Sequence, residues 1–166
     1  MVQERIEDLL NIKKGYSIIF FLIAVDLASK VIAEENLIFG QPIPLVPFLD
    51  LLLVFNSGIA FSIFDFNNSL FSLGLSMLGL LIVFYLHYLY KNAESSANRI
   101  SMIFIIAGAL GNILDRLQDG VVTDFLFLHI GNTSLFIFNF ADAFISIGAS
   151  LFFLTEFNKF LQNRSI

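Results

Sequence analysis

Asp124 and Asp142 are two carboxyls without a cation within one helical turn in sequence, in a chain that is otherwise largely apolar. An ionisable carboxyl in hydrocarbon costs roughly 2.5 to 3.5 kcal/mol on insertion scales, and such residues usually mark a function. Brought within about 4 Å at an effective dielectric of about 20, two carboxylates repel by about 4 kcal/mol. That sets their two apparent pKa values about three apart, so one keeps a proton near neutral pH. A deprotonated base beside a protonated acid can direct water at a peptide carbonyl: the first takes a proton from water and the second hydrogen-bonds the developing oxyanion. Proton-coupled carriers also use intramembrane acids, so the pair alone leaves both chemistries open.

The elements that must position these acids follow from composition. The chain has 166 residues, 57% of them hydrophobic and only 14% charged, with a mean hydropathy of +0.84, which is a multi-span membrane protein rather than a soluble domain. Candidate spans are Tyr16 to Glu34, Leu70 to Tyr90, Ile100 to Leu114 and Phe140 to Phe157. The third is short for a crossing, so its polar end, Asn112, Asp115 and Arg116, should extend the helix into an interface. Arg5, Lys13, Lys14, Lys91, Arg99, Lys159 and Arg164 all fall on one side if the spans alternate, whereas 35–69 and 117–139 contain no Lys or Arg. Both termini are therefore expected in the cytoplasm. Residues 1–166 are expected to form one domain.

Residues 1–15 read as a weak amphipathic surface helix ahead of span one. Span one is expected to be retained rather than cleaved, because Asp26 and Lys30 interrupt its apolar run. Tyr85, His87, Tyr88 and Tyr90 look like an interfacial aromatic belt. His129, in an outer loop, could act as an acid or base but lacks ligand spacing. Two outer segments, 45–64 and 121–138, have short β-branched and aromatic runs broken by Asn56, Ser57 and Gly58 and by Gly131 and Asn132. They read as strands that pair with one another, since open sheet edges do not face lipid. The expected architecture is an all-α membrane protein of four transmembrane helices with a small extracytoplasmic β-sheet, a cradle. Within it Phe55, Phe61, Phe64 and Phe66 could hold a substrate or simply pack a core.

Counted along the helices, Lys14 to Lys30 and Arg99 to Asp115 each rise about 24 Å, so both polar ends reach the outer leaflet, the depth at which Asp142 opens span four. Asp26 and Lys30 stand four apart on one helical face and can form an ion pair, a structural role. Arg116 can fork onto a carboxylate or a backbone carbonyl. The chain has no cysteine, which excludes disulfides and thiol chemistry. No metal or cofactor is expected, and no nucleic acid.

Five runs then matter together: DLASK at Asp26 to Lys30, NSGIAFS at Asn56 to Ser62, AGALGNILDR at Ala107 to Arg116, VVTDF at Val121 to Phe125, and FNFAD at Phe138 to Asp142. In this order they closely resemble the motif set of lipoprotein signal peptidase, also called signal peptidase II, across essentially the whole chain. The resemblance implies an aspartyl endopeptidase of the bacterial inner membrane, with its active site near the periplasmic face. It would remove the signal peptide from diacylglyceryl-modified prolipoproteins, cleaving before the lipidated cysteine. It implies Asp124 and Asp142 as the catalytic dyad, Asn56, Gly58, Asn112, Arg116 and Asn139 as substrate-side or lining positions, and Asp26, Lys30 and Asp115 as supports. It also implies membrane lipid as surroundings, block by globomycin-type cyclic peptides, and a monomer. Two departures stand out: Ala107 where the motif usually opens with a glycine, and Thr123 where valine is more often seen before the catalytic aspartate. The alternative, a small proton-coupled transporter relaying protons through Asp26, Asp115 and Asp142, predicts repeated halves that this sequence lacks.

Overall fold

A computed structural model describes residues 2–58, 69–93 and 95–164, with side chains from Ile12 onward. Four long helices and a four-stranded sheet follow in the order α1 (Val2–Asn36), β1 (Ile43–Val46), β2 (Leu49–Asn56), α2 (Ser69–Lys91), α3 (Ser96–Asp119), β3 (Val122–Ile130), β4 (Thr133–Phe138), α4 (Phe140–Arg164). Each helix contains a stretch long and apolar enough to cross a membrane. Their outward faces are apolar, as with Phe20, Leu70 and Phe84, the inverse of a soluble bundle and what a lipid solvent permits. α3 is the central helix: half of its apolar window is buried, against 22% for α1 and 11% for α2 and α4.

The connections dictate where the site can form. The C-terminal ends of α1 and α3 and the N-terminal ends of α2 and α4 all join the strands, so the sheet caps one end of the bundle. It is an antiparallel meander in the order β1-β2-β3-β4. The two outer segments do pair: Val54 lies opposite Asp124 and Phe55 opposite Thr123, and the register shifts between Leu51 and Val54. The β3–β4 turn falls at Gly131, with φ of 55°. Phe61, Phe64 and Phe66, and the strand expected to run on to Phe64, lie outside the described residues; Phe55 is an exposed ring stacked on Phe39 at 5.7 Å.

α3 carries its polar end into the sheet because both of its ends are capped. Ser95 accepts from the Asn98 N–H at 3.1 Å. Gly120, at φ of 90°, donates its N–H to the Arg116 carbonyl, the left-handed stop that glycine adopts without steric cost. The chain turns there directly into β3, which puts Asp124 one short strand segment from Asp115 and Arg116. As the short third span required, α3 runs through Asn112 to Asp119.

Two expectations need correcting. α1 is continuous from Val2, so its first turns form no separate surface helix, since no glycine turn or proline interrupts the backbone before Gly40. Tyr90 does not belong to an aromatic belt: it is fully buried and donates its hydroxyl to the Ile12 carbonyl at 2.9 Å. Tyr85 and Tyr88 remain exposed, as a belt needs, and His87 stacks on Tyr16.

α3 and α4 approach closely at Gly108, where an added Cβ would collide with the backbone oxygen of Ala141. The neighbouring Ala107 is fully buried and well accommodated, so the departure from glycine at that position leaves the contact intact. Gly108→Ala is expected to destabilise the protein by about 1–3 kcal/mol, the usual cost of overpacking, read as a lower midpoint of thermal unfolding in detergent; an unchanged midpoint would show that the helices separate freely.

Candidate active site

The polar residues of the five motifs converge at the sheet-capped end of the bundle. Lys30, 1% exposed, lies 2.9 Å from Asp26 Oδ2 and 3.3 Å from Asp115 Oδ2, and donates to Asn112 Oδ1 at 2.9 Å. An ammonium has three protons and no acceptor, so it can face these three oxygens at once. It is buried in the bundle and does not snorkel. Asp115 pairs with Lys30 rather than with its neighbour Arg116, because consecutive helical residues point about 100° apart.

Each of these charges also fixes a backbone. Asp26 Oδ1 accepts from the Ala141 N–H at 2.8 Å, so an acid of α1 caps the first turn of α4. Asp115 Oδ2 accepts from the Thr123 N–H at 2.8 Å, anchoring β3 immediately before Asp124. Asn112, with its oxygen committed to Lys30, must turn its NH2 away, and it donates to Asp142 Oδ1 at 2.8 Å.

Asn139 joins the two aspartates. Its Nδ2 donates to Asp124 Oδ1 at 2.6 Å and to the Thr123 carbonyl at 3.3 Å. Its Oδ1 accepts from the Asp142 N–H at 3.0 Å, and its own N–H donates to Asp142 Oδ2 at 3.3 Å. The reciprocal pair is a capping box in which Asn139 is the N-cap of α4 and Asp142 the acid three residues on. Asp142 thus sits at the positive end of the α4 dipole.

Asp124 is 3% exposed; its second oxygen accepts from Asn56 Nδ2 at 3.1 Å. Asn56 Oδ1 accepts from the Gly58 N–H at 3.0 Å, and Arg116 Nη2 donates to the Gly58 carbonyl at 2.9 Å. Of the two options for Arg116, the backbone carbonyl is the one realised. Burial first, and the neighbouring Asp142 charge second, push the Asp124 carboxyl up to about 7, against the pull of the Asn56 and Asn139 hydrogen bonds. Both aspartates line a cavity of about 750 Å³ whose other walls include Asn56, Gly58, Asn112, Arg116, Leu128, Phe138 and Ile145. Its size and its one polar end over apolar walls suit a peptide-like ligand.

The structure brings all ten of these residues together, with Asp26, Lys30 and Asp115 joined by ion pairs and Asn56, Gly58, Asn112 and Arg116 lining the same cavity as the two aspartates. His129 is not; it faces Asp50 across β2 and β3 at 3.2 Å. The sequence reading missed Glu34, whose Oε1 accepts from the Thr123 hydroxyl at 2.6 Å. Residues so far apart in sequence, one ending a helix and one in a strand, carry no spacing signal. It also left Asn139-x-x-Asp142 unread as a capping box, although that spacing was visible.

Comparison with known proteins now bears on the geometry. Residues 18–158 match the model of the signal peptidase (SPase) II family. The chain belongs to that family. Curated lipoprotein signal peptidases of Brucella ovis and Brucella melitensis are each 37% identical to it over 150 residues, 89% of this chain and 91% of theirs. Two solved structures of a bacterial membrane enzyme are similar at 26% identity: one with a TM-score of 0.79 over 89% of both chains, the other with 0.76 over 87% of this chain and 92% of that one. Signal peptidase II is a protease of aspartyl mechanism, and the transporter alternative falls away.

As pH rises through about 7, Asp124 loses its proton. If that proton is used in catalysis, kcat/KM should fall about tenfold per pH unit above this point. A profile flat to pH 9 would contradict it.

Proposed function

We propose that this protein removes the signal peptide from diacylglyceryl-modified prolipoproteins, cutting before the lipidated cysteine, with Asp124 and Asp142 as the catalytic pair. The observation that carries the reading is the juxtaposition, through Asn139, of the buried Asp124 and the half-buried Asp142 in the wall of a largely apolar cavity. Asp142 serves as the base and Asp124 as the acid. Asp142 removes a proton from water as its oxygen attacks the scissile carbonyl carbon, and Asp124 gives its proton to the carbonyl oxygen. The resulting gem-diol collapses as one of its hydroxyl protons returns to Asp124. The C–N bond breaks while the proton on Asp142 moves to the leaving nitrogen, releasing an acid and an amine and restoring the pair.

Arg116 and Asn56 hold Gly58 at the cavity wall, and the buried Arg116 Nε has no hydrogen-bond partner among the described residues. That donor is suited to a peptide carbonyl of the substrate. The signal helix would remain in the bilayer beside α4, where Ile145 and Ile147 line the cavity, while the diacylglyceryl chains hold the cysteine in the outer leaflet. The Lys and Arg distribution favours cytoplasmic termini, which supports a dyad at the periplasmic face of a bacterial inner membrane. The enzyme would act as a monomer without a cofactor.

Asp124→Asn and Asp142→Asn should each reduce cleavage of a lipidated prolipoprotein in a gel-shift assay by several orders of magnitude, with insertion unchanged, and wild-type enzyme should leave the unlipidated form uncut. Normal turnover by either variant would overturn the dyad. Globomycin should compete with the substrate and raise its apparent KM; noncompetitive or absent inhibition would remove the cavity from the reading.

A further inference from the structure

Thr123 precedes the proposed acid Asp124 and is even more deeply buried, at 1% exposed. Each of its polar groups is held by a different helix. Its N–H donates to Asp115 of α3 at 2.8 Å, its carbonyl accepts from Asn139 at the start of α4 at 3.3 Å, and its hydroxyl donates to Glu34 of α1 at 2.6 Å. The sheet itself offers less here, because the β2–β3 register shifts just beside the Val54–Asp124 pair, and such irregularities increase twist and re-aim side chains.

Successive strand residues point to opposite faces. Pulling the Thr123 side chain toward α1 therefore turns that of Asp124 the other way, into the cavity. We propose that Glu34, acting through the Thr123 hydroxyl, is a positioning residue that sets the roll of β3 and with it the direction of Asp124. The first two anchors use backbone groups that any residue at this position would offer. The third needs a hydroxyl, which threonine supplies. A valine would fill the same volume and release the strand from α1. Glu34 is exposed, so its carboxylate is not required for packing, and what it contributes is direction.

The inference rests on Asp124 being the catalytic acid, and a double-mutant cycle with lipidated prolipoprotein tests it. Thr123→Val and Glu34→Ala should each lower kcat about tenfold with KM unchanged, the pattern of an interaction realised in the transition state. The double variant should be no worse than either single one, and Thr123→Ser, which keeps the hydroxyl, should recover most of the loss seen with valine. Multiplying losses, an unchanged kcat in Glu34→Ala, or losses that follow the unfolding temperature would each overturn the proposal. Should Thr123→Val fail to fold, Glu34→Ala decides alone. An active Asp124→Asn would instead sink the dyad, whereas an inactive Asp124→Asn beside a fully active Glu34→Ala sinks only the positioning role.

Discussion

One buried ammonium, that of Lys30, ties together three polar side chains from two helices at the end of this bundle. It neutralises Asp26, which caps α4, and Asp115, which anchors β3, and it orients Asn112 toward Asp142. Taking these charges out of water is costly, and the close ion pairs with Asp26 and Asp115 and the hydrogen bond to Asn112 offset that cost. Removing a single member of such a buried group typically costs about 3–5 kcal/mol, since it strands its partners uncompensated. Three separate paths lead from Lys30 toward the aspartate pair, so residues on α1 are linked to the positions of Asp124 on β3 and Asp142 on α4.

With Lys30 and Arg116 as its two cations, this region holds four carboxyls besides Glu34. Full ionisation would leave an excess of negative charge among apolar walls, and the proton retained by Asp124 up to about pH 7 relieves it. The same burial that makes ionisation costly makes the retained proton useful, because an acid and a base of like chemical type are separated only by their surroundings. Asn139 is central to that asymmetry: it donates to one aspartate through its amide while capping the helix that carries the other.

Much of this was legible in the chain. The spans follow from hydropathy, and the sheet from two β-branched segments that could not lie open in lipid. The depth of the polar cluster follows from helix rise. The Asp26–Lys30 pair follows from i, i+4 spacing, and the convergence of Asp124 and Asp142 on one cavity from motifs read together. What was not legible depends on tertiary geometry. Nothing in a tyrosine-rich helix end distinguishes exposed Tyr88 from buried Tyr90, whose hydroxyl reaches the Ile12 carbonyl. That Asp26 would cap α4 as well as pair with Lys30 needed the α1–α4 approach. Glu34 was read only as rising polarity at a helix end, because its partner Thr123 meets it through the sheet.

The central claim is that Asp124 keeps its proton to about pH 7 because it is buried beside the Asp142 charge. Carbon-13 NMR of the enzyme labelled at its aspartate carboxyls follows this directly. One carboxyl should show an inflection near pH 7 in the wild type, absent in Asp124→Asn and moved to lower pH in Asp142→Asn, where the neighbouring charge is gone. An inflection that stays in place when Asp142 is replaced would mean that the two carboxyls do not sense each other, and this account of the Asp124 proton would be wrong.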